Sequence, residues 1–255
     1  MTTTKKNEVI PITQTILALS GDTQALAQAF TENLGGEKIS VFDLERIKIP
    51  SGGGPAYTVI DPSGEEDSIK ELTGTIVWIE ARKSYWADNT PDGSPPDCRS
   101  DDCKVGFGSW DTEHPDKKVA RACETCQFNQ FGTAVNDKGE LTAGKACKDM
   151  RLVFFMREGV ESMLPSLVIL PPTSIKPMQK YLVSLASKGI AITAALTRLT
   201  IAKGPSGGVD YSVCRPLMER RLTPEETETL RSYVAGIKVA FAQVDTSAVE
   251  EGVKQ

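Results

Sequence analysis

Four cysteines in one polar, glycine-rich stretch constrain this chain more than any other feature of its sequence. They are Cys98, Cys123, Cys126 and Cys147. The stretch has no strong helix or strand pattern and cannot bury an apolar core, so its lost conformational entropy must be offset in another way. Four thiolates around a tetrahedral zinc ion do this, since binding a structural zinc is worth about 10–16 kcal/mol. We therefore expect a zinc ion that builds a small rigid platform.

The spacing of the cysteines favours one four-sulfur site. Cys123 and Cys126 have the C-x2-C spacing of a zinc knuckle, in which two thiolates reach one metal ion from a tight turn. Cys98 and Cys147 are the natural distant pair. Four sulfur ligands leave no open coordination position, so we expect a structural metal and not a catalytic one. Two further candidate ligands lie in the same stretch, Cys103 and His114.

Two other interpretations of the cysteines stay open. Cys123 and Cys126 are also spaced as a redox pair, or the thiols are unconnected. A thioredoxin-like redox motif opens a helix after a strand, whereas residues 117–122 have no strand pattern. The sequence therefore favours metal binding. Cys214 lies in a predicted strand, where a small buried hydrophobe is its expected role.

Composition sets the class of protein. Of the 255 residues, 40% are hydrophobic and 25% charged, which is ordinary globular usage. No apolar run approaches the roughly 20 residues of a membrane span, and the run at residues 16–19 is too short and polar for a signal peptide. We expect an intracellular, cytoplasmic protein, in whose reducing compartment cysteines bind metal more often than they pair.

Charge and histidine content narrow the possible functions. The formal net charge is −5, which does not favour a polyanionic partner, but a groove can be basic on an otherwise acidic surface. His114 is the single histidine of the sequence. Histidine-based acid–base or Ser–His chemistry is therefore excluded unless this one residue carries it.

The hydrophobic pattern predicts an α+β protein that is mainly β. An N-terminal arm and short helix occupy residues 1–38, followed by a domain over residues 39–255 with a short strand at 39–49. A helix near residues 174–188 separates strands three and four, and a last helix at about 224–242 opens with the capping box Thr223-Pro224-Glu225-Glu226. The five main predicted strands are 74–84, 151–157, 164–170, 191–202 and 209–218.

Three strands, a helix and two more strands are the order of an oligonucleotide/oligosaccharide-binding (OB) barrel. We therefore predict an OB-like five-stranded barrel with flanking helices. A zinc-binding insertion at about 89–148 would replace the loop between its first and second strands, one of the two loops that grip the ligand in this fold.

Four motifs then resemble a family of phage and prophage proteins. That family has the pattern P-x-C-S-S-x-D, C-x-x-C-x-x-N-x-F-G, G-K-A-C-K and L-P-P-T-S, and the resemblance covers roughly residues 40–240. Cys103 falls where the family more often has another residue. The matching segments here are 95–102, 123–132, 144–148 and 170–177, and the matching cysteines are Cys98, Cys123, Cys126 and Cys147.

The resemblance implies a zinc-bearing, single-stranded DNA-binding-like factor of phage DNA metabolism. Its layout is also similar to the T-even phage helix-destabilising protein, which pairs this barrel with a zinc-bearing subdomain. This chain lacks that protein's histidine ligand and strongly acidic tail, so the similarity is one of organisation and not of homology. The resemblance to phage proteins also implies a location in the host cell cytoplasm.

A single-strand binder needs cations for phosphates and flat side chains for bases. One alternative is that the lysines near the knuckle, which neighbouring acidic residues dilute, form an ordinary solvated face. Phe128 and Phe131 are expected to pack beside the zinc. The predicted contact residues are Arg82, Lys83, Tyr85, Trp86, Trp110, Arg121, Lys148, Arg151, Phe155 and Arg157.

We therefore predict a sequence-nonspecific single-stranded DNA-binding protein of phage replication or recombination, with a structural zinc and no catalytic activity. One alternative is a zinc-stabilised protein-interaction module that recruits replication or recombination partners. Another is a metal-dependent nuclease, which is weakened because no compact acidic triad lies on the predicted strands. Its candidate carboxylates lie in a loop, at Asp101, Asp102 and Asp111.

Overall fold

The computed structural model describes residues 28–29, 32–35, 43–50, 52–87, 96–109, 118–136, 138–160, 162–204 and 210–241. Part of the predicted N-terminal helix is among them, and residues 28–29 and 32–34 are helical. Trp110, Asp111 and His114 lie outside the described residues, as does the N-terminal arm before residue 28.

The described chain is α+β and mainly β. Its strands are β1 (Arg46–Lys48), β2 (Tyr57–Ile60), β3 (Glu66–Ile69), β4 (Glu71–Tyr85), β5 (Cys98–Ser100), β6 (Val105–Ser109), β7 (Lys118–Ala122), β8 (Lys148–Arg157), β9 (Ser166–Leu170), β10 (Ala195–Lys203) and β11 (Ser212–Arg221). Its long helices are α1 (Pro172–Ala186) and α2 (Pro224–Phe241), and single 3-10 turns occupy Gln127–Asn129 and Ile192–Ala194.

The strands form one large mixed sheet. The order along it is β3-β2-β1-β9-β8-β4-β5-β6-β7, and β10 also pairs with β4 and carries β11. Only β1 and β9 run parallel among the described pairs. No described pairing closes this sheet, so the predicted five-stranded barrel is wrong.

The length of β4 is the reason that the sheet branches. This strand has 15 residues and meets three neighbours at successive positions. Its first residues, 71–74, pair with β10; residues 74–84 pair with β8; and residues 83–85 pair with β5. Because β10 pairs with the beginning of β4 and β8 with the rest of it, β10 and β11 leave the main path of the sheet at this strand.

Both faces of the central strand β8 are buried. Phe154 and its even-numbered neighbours pack under α2, in a cluster that includes Leu230 and Tyr233 of that helix. Phe155 and Val153 point to the opposite side, in the cluster that contains residues of α1. The sheet therefore has a helix on each face, and β8 lies in the centre of the apolar core.

The predicted strand–helix order is confirmed. Each of the five main predicted strands corresponds to one strand, β4, β8, β9, β10 and β11 in turn, and the two predicted helices are α1 and α2. The sequence did not predict the β2–β3 hairpin. It also missed the short strands β5, β6 and β7, and the absence of a strand at 117–122 is wrong, because β7 occupies Lys118–Ala122.

No helix among the described residues is long and apolar enough to cross a membrane.

Candidate metal cavity and nucleic-acid groove

The four predicted cysteine ligands lie around one small cavity, called the cysteine cavity below. Cys98 is the first residue of β5, Cys123 follows β7, Cys126 precedes the 3-10 turn, and Cys147 directly precedes β8. All four line a cavity of about 10 Å³, which is room for about one water-sized sphere. Cys103 is not among the lining residues. We call residues 98–147 the cysteine segment.

Glycines in β6 allow the cysteines to approach each other. A Cβ atom on Gly106 would lie 2.9 Å from Cys98 Sγ and 3.6 Å from Cys123 Sγ. A Cβ atom on Gly108 would lie 2.4 Å from the carbonyl oxygen of Asp97. Since real Cβ atoms do not come this close, any larger residue on this face of β6 would push the strand away from β5 and open the cavity.

Backbone hydrogen bonds hold the cysteines in place. Cys123 N donates to the Lys104 carbonyl at 2.7 Å, and Cys147 N donates to the Phe128 carbonyl at 2.8 Å. Asn129 N donates to the Cys126 carbonyl at 3.1 Å. The first two bonds each join residues 19 positions apart in the sequence, so the cavity is a product of the tertiary structure, whereas the third closes the local turn after Cys126.

The cavity supplies four soft sulfur donors, although the metal ion itself stays a prediction. No group of three or more His, Cys, Asp or Glu that could hold a metal ion occurs in the part of the chain that the structure describes. Burial raises the pKa of the Cys147 thiol to about 12, even though the Lys83 ammonium opposes the shift. A metal ion must displace the thiol protons to bind here.

An open groove of about 760 Å³ lies beside the cysteine cavity, and we call it the basic groove. Its walls come from the beginning of α1, the end of the cysteine segment and the beginning of β8. Five cations and one carboxylate line it. They are Lys83, Lys145, Lys148, Arg151 and Lys176, with Asp149. Lys83 and Cys147 line both the groove and the cavity, so the two sites share a wall.

A buried polar network forms this shared wall. Lys83 is 9% exposed and forms an ion pair with Asp149, and Lys145 Nζ lies 3.3 Å from the other oxygen of the same carboxylate. Burial is the largest single influence on Lys83 and lowers its pKa, but the hydrogen bond to Asp149, the charge of Asp149 and the nearby thiols together outweigh it, so the pKa of the lysine is raised. Burial likewise opposes the charge on Asp149, whose pKa the two lysines hold below its ordinary value.

Phe131 supplies an exposed aromatic ring at the groove. Its side chain is 79% exposed, and Lys145 Nζ lies 5.0 Å from its ring centroid, within the range of a cation–π contact. The expectation that Phe131 packs beside the zinc is therefore wrong. Phe128 does lie on the cysteine cavity, where it stacks on Tyr85 with ring centroids 4.0 Å apart.

Of the predicted nucleic-acid contacts, Lys83, Lys148 and Arg151 line the basic groove. Tyr85 and Arg121 line the cysteine cavity instead. These five residues are brought together around the shared wall.

The remaining predicted contacts lie elsewhere. Arg82 is buried between Glu80 and Asp101 and is not among the residues that line the groove. Arg157 pairs with Glu45 at 2.6 Å, at the far end of β8. Trp86 follows the end of β4 and is half-buried, and Trp110 lies outside the described residues.

Phe155 is the clearest correction among the predicted contacts. It is 0% exposed, so it cannot reach a bound strand in this structure, and the prediction of a contact is wrong. The alternation of arginine and phenylalanine on β8 suggested a solvent-exposed face that binds nucleic acid. In fact the arginines lie towards the ends of the strand, while the phenylalanine lies in its buried centre.

Sequence reasoning missed three groove residues, Phe131, Lys145 and Lys176. A signal existed for each one, because they fall inside the three motifs C-x-x-C-x-x-N-x-F-G, G-K-A-C-K and L-P-P-T-S or directly after them. The first two motifs contribute residues to both the cavity and the groove, and the third contributes to the groove alone. The structure also bears on the redox alternative, which requires a strand before the C-x2-C motif and a helix after it. A strand does precede Cys123, but only a three-residue 3-10 turn follows Cys126.

Comparison with known proteins adds no relative. No protein-family model matches the chain, and no curated protein and no solved structure gives a significant match. The resemblance to phage proteins therefore rests on the motifs alone.

Proposed function

We propose that this protein binds single-stranded DNA without sequence preference, in the basic groove. A zinc ion held by Cys98, Cys123, Cys126 and Cys147 would stabilise the wall of the groove. The proposal includes no catalytic step. It makes the chain a phage replication or recombination factor of the host cytoplasm, where reducing conditions keep the four thiols available to a metal.

The charge of the groove is the observation that carries the proposal. The chain as a whole is acidic, with a formal net charge of −5, yet five cations and one carboxylate line this groove. Lys148 and Lys176 make no ion pair with any described residue. Uncompensated cations that gather in one concave surface of an acidic protein suit a phosphate backbone.

The aromatic ring at the groove favours single strands over duplex. Phe131 presents its ring to solvent beside Lys145, so an unpaired base can stack on it while its phosphate meets a lysine. Stacking of this kind is worth about 1–3 kcal/mol per base and does not depend on the base, because every base has a π-face. A duplex keeps its bases stacked inside the helix and gains nothing from this ring.

The size and the lining of the cavity support the proposed zinc ion, although the described side chains do not converge into a metal-holding group in this structure. The cavity has room for about one sphere, and its four sulfurs are the soft donors that zinc prefers. The two glycines of β6 are what allow this approach of the thiols. With every donor being sulfur, the metal has no position open for substrate, and its contribution is to hold the cysteine segment together.

A salt titration of oligonucleotide binding tests the proposal. Fluorescence anisotropy of a labelled oligothymidylate should report tight binding at low salt that weakens as salt rises, and weaker binding of a duplex of the same length. For single strands the slope of log K against log salt is about −0.7 per phosphate contact. Absence of oligothymidylate binding at low salt would overturn the proposal.

Matched variants locate the binding surface. Lys176→Ala should reduce the magnitude of the salt slope by about 0.7, because one phosphate contact is removed. Lys188→Ala is the control, since this exposed lysine lies beyond the end of α1, away from the groove. Phe131→Ala should cost about 1–3 kcal/mol of binding, whereas Phe107→Ala, which removes another exposed phenylalanine outside the groove, should cost nothing.

One observation favours the interaction-module alternative. The β6–β7 hairpin exposes an apolar face made of the directly paired residues Phe107 with Ala120 and Val105 with Ala122. An exposed apolar face suits a protein partner. A partner protein that is captured through this hairpin, together with failure of oligonucleotide binding, would select this alternative.

A further inference from the structure

We propose that Asn129 couples the cysteine cavity to the basic groove, so that metal binding and nucleic-acid binding strengthen each other. The inference rests on the proposed function and adds its regulation. Asn129 lies in the 3-10 turn that directly follows Cys126 and lines the cysteine cavity. Its side chain makes contacts on both sides of the shared wall.

The nitrogen end of the Asn129 amide belongs to the cavity. Its Nδ2 donates to the carbonyl oxygen of Cys123 at 2.7 Å. Its backbone nitrogen donates to the carbonyl oxygen of Cys126 at 3.1 Å. Asn129 is thus bonded to both cysteines of the C-x2-C knuckle, and any movement of the knuckle moves this side chain.

The oxygen end of the same amide belongs to the groove. Its Oδ1 accepts a hydrogen bond from Lys83 Nζ at 2.9 Å and one from Lys145 Nζ at 3.4 Å. Lys83 forms the buried floor of the groove, and Lys145 lies over the Phe131 ring. The position of this oxygen therefore helps to fix two of the five groove cations.

The chemistry of the amide makes this connection specific. An asparagine side chain is both donor and acceptor, and the network orients it with nitrogen on the carbonyl and oxygen between the ammonium groups. Asp149 competes for the same two lysines, since it pairs with both. If the knuckle moves and Asn129 Oδ1 withdraws, both ammonium groups are free to move towards this carboxylate, which offsets one of their two positive charges, and away from a phosphate.

Metal binding fixes the knuckle and thereby keeps the oxygen between the lysines. Linkage is reciprocal, so a DNA strand that prefers this arrangement must also raise the affinity for the metal. The factor must equal the one by which the metal raises the affinity for the DNA strand. Coupling factors of this kind are typically about 5–150-fold. We expect a factor in this range for the intact chain.

The wild-type protein provides the first test. Oligothymidylate affinity is measured on the zinc-loaded chain and on the chain stripped with a chelator, and zinc affinity is measured by chelator competition with and without oligothymidylate. The two ratios should agree, at about 5-fold or more. Equal strand affinity in both metal states would overturn the inference and the role of zinc in the groove wall, while leaving the proposed DNA binding intact. Absence of strand binding in both states would instead remove the proposed function.

A double-mutant cycle on the zinc-loaded protein tests Asn129 itself. Asn129→Ala and Lys145→Ala should be non-additive in oligothymidylate affinity, because the first acts by placing the second. Asn129→Ala and Lys176→Ala should be additive, since Lys176 lines the same groove without bonding to Asn129. Additivity in both cycles would overturn the assignment of Asn129.

A conservative variant covers the case in which Asn129→Ala loses zinc or fails to fold. Asn129→Asp keeps the oxygen acceptor for the lysines and loses the Nδ2 donor to Cys123. Its carboxylate adds a negative charge beside Lys83 and Lys145, so it should weaken strand binding in both metal states. Loss of the donor to Cys123 should nevertheless lower the coupling ratio towards 1. A coupling ratio equal to that of the wild type would show that this donor does not join the two sites.

Discussion

The core sheet and the cysteine segment are stabilised in opposite ways. In the core, both faces of β8 are covered and its phenylalanines are almost inaccessible. In the cysteine segment, Ala134 is the only buried hydrophobic residue besides cysteines among the described residues. Of the eight large hydrophobic side chains exposed in the described chain, six belong to this segment, namely Val105, Phe107, Val119, Phe131, Val135 and Leu141.

The two regions need different sources of free energy in order to stay folded. The core gains free energy from burying apolar area, at about 25 cal/mol per Å². The cysteine segment turns its apolar side chains outward and keeps thiols inside, so apolar burial cannot offset its ordering entropy. On the proposed function, a zinc ion at the cysteine cavity would supply the cross-link that offsets this entropy. The exposed apolar residues are then free to serve binding, as proposed for Phe131.

The largest expected effect comes from removing a cavity cysteine. Cys147→Ser should abolish stoichiometric zinc binding, and with it most of the roughly 10–16 kcal/mol available from a structural zinc. Hydrogen-exchange mass spectrometry should then show lost protection throughout residues 98–147 and retained protection in β9 and α1. Metal content is measured by inductively coupled plasma mass spectrometry, with one zinc per wild-type chain expected.

Cys103→Ser is the matched control for this experiment, since Cys103 lies in the same segment and does not line the cavity. It should keep one zinc and full protection. If Cys147→Ser kept both its metal and its protection, the two regions would not differ in the way proposed.

The next effect contrasts two phenylalanines, one from each region. Phe155→Ala should destabilise the protein by about 3–5 kcal/mol, because it removes a fully buried ring from the core. Phe131→Ala should leave the free energy of unfolding nearly unchanged, since its ring is already in water. Urea denaturation followed by circular dichroism measures both. A large destabilisation by Phe131→Ala would place that ring in a core and would contradict its role at the groove.

The sequence predicted the core sheet because its elements carry local periodic signals. The apolar alternation of β4 and the capping box before α2 are each contained in a few neighbouring residues. The branching of β4 was not predictable in this way, since which strand pairs with which half of β4 is decided by contacts distant in sequence. The same limit applied to Phe155, because alternation does not say whether a strand is covered on both faces.

In the candidate site too, local patterns were predictable and tertiary contacts were not. The cysteines were predictable, because a C-x2-C spacing is a local pattern. The groove was only half predicted, since one wall comes from β8 and the other from the first turns of α1, where Lys176 lies. β7 was missed because it is exposed along its whole length and has no alternation to detect. β5 and β6 do alternate in burial, but their buried positions are cysteine, serine and glycine and give no apolar pattern.

A smaller effect is expected from filling the space beside the cysteine cavity. Gly106→Ala would place a Cβ atom 2.9 Å from Cys98 Sγ, and overpacking of this kind costs about 1–3 kcal/mol. The cost should fall on the cysteine segment alone and appear as weaker zinc binding in chelator competition. Gly52→Ala is the control, since nothing lies within 4 Å of its Cβ position. Equal zinc affinity of the two variants would contradict the tight packing of β6 on β5.

The smallest effect is expected in the core region, at the start of α2. Glu226 accepts hydrogen bonds from Arg220 and from Thr223 N at the start of α2, and its partnership with Arg220, against burial, holds the pKa of its carboxyl below the ordinary 4.5. A depressed pKa means that the stabilisation is complete above about pH 4.5 and is lost as pH falls through the lower folded value. Glu226→Gln should therefore cost about 0.5–1 kcal/mol near neutral pH and nothing in strong acid, measured by urea denaturation across pH.

Glu225→Gln, in the same turn but without an ion pair to a described residue, should show no such pH-dependent difference. Because α2 covers the core and does not line the basic groove, neither variant should change zinc content, and a loss of zinc in Glu226→Gln would mean that the two regions do not fold independently.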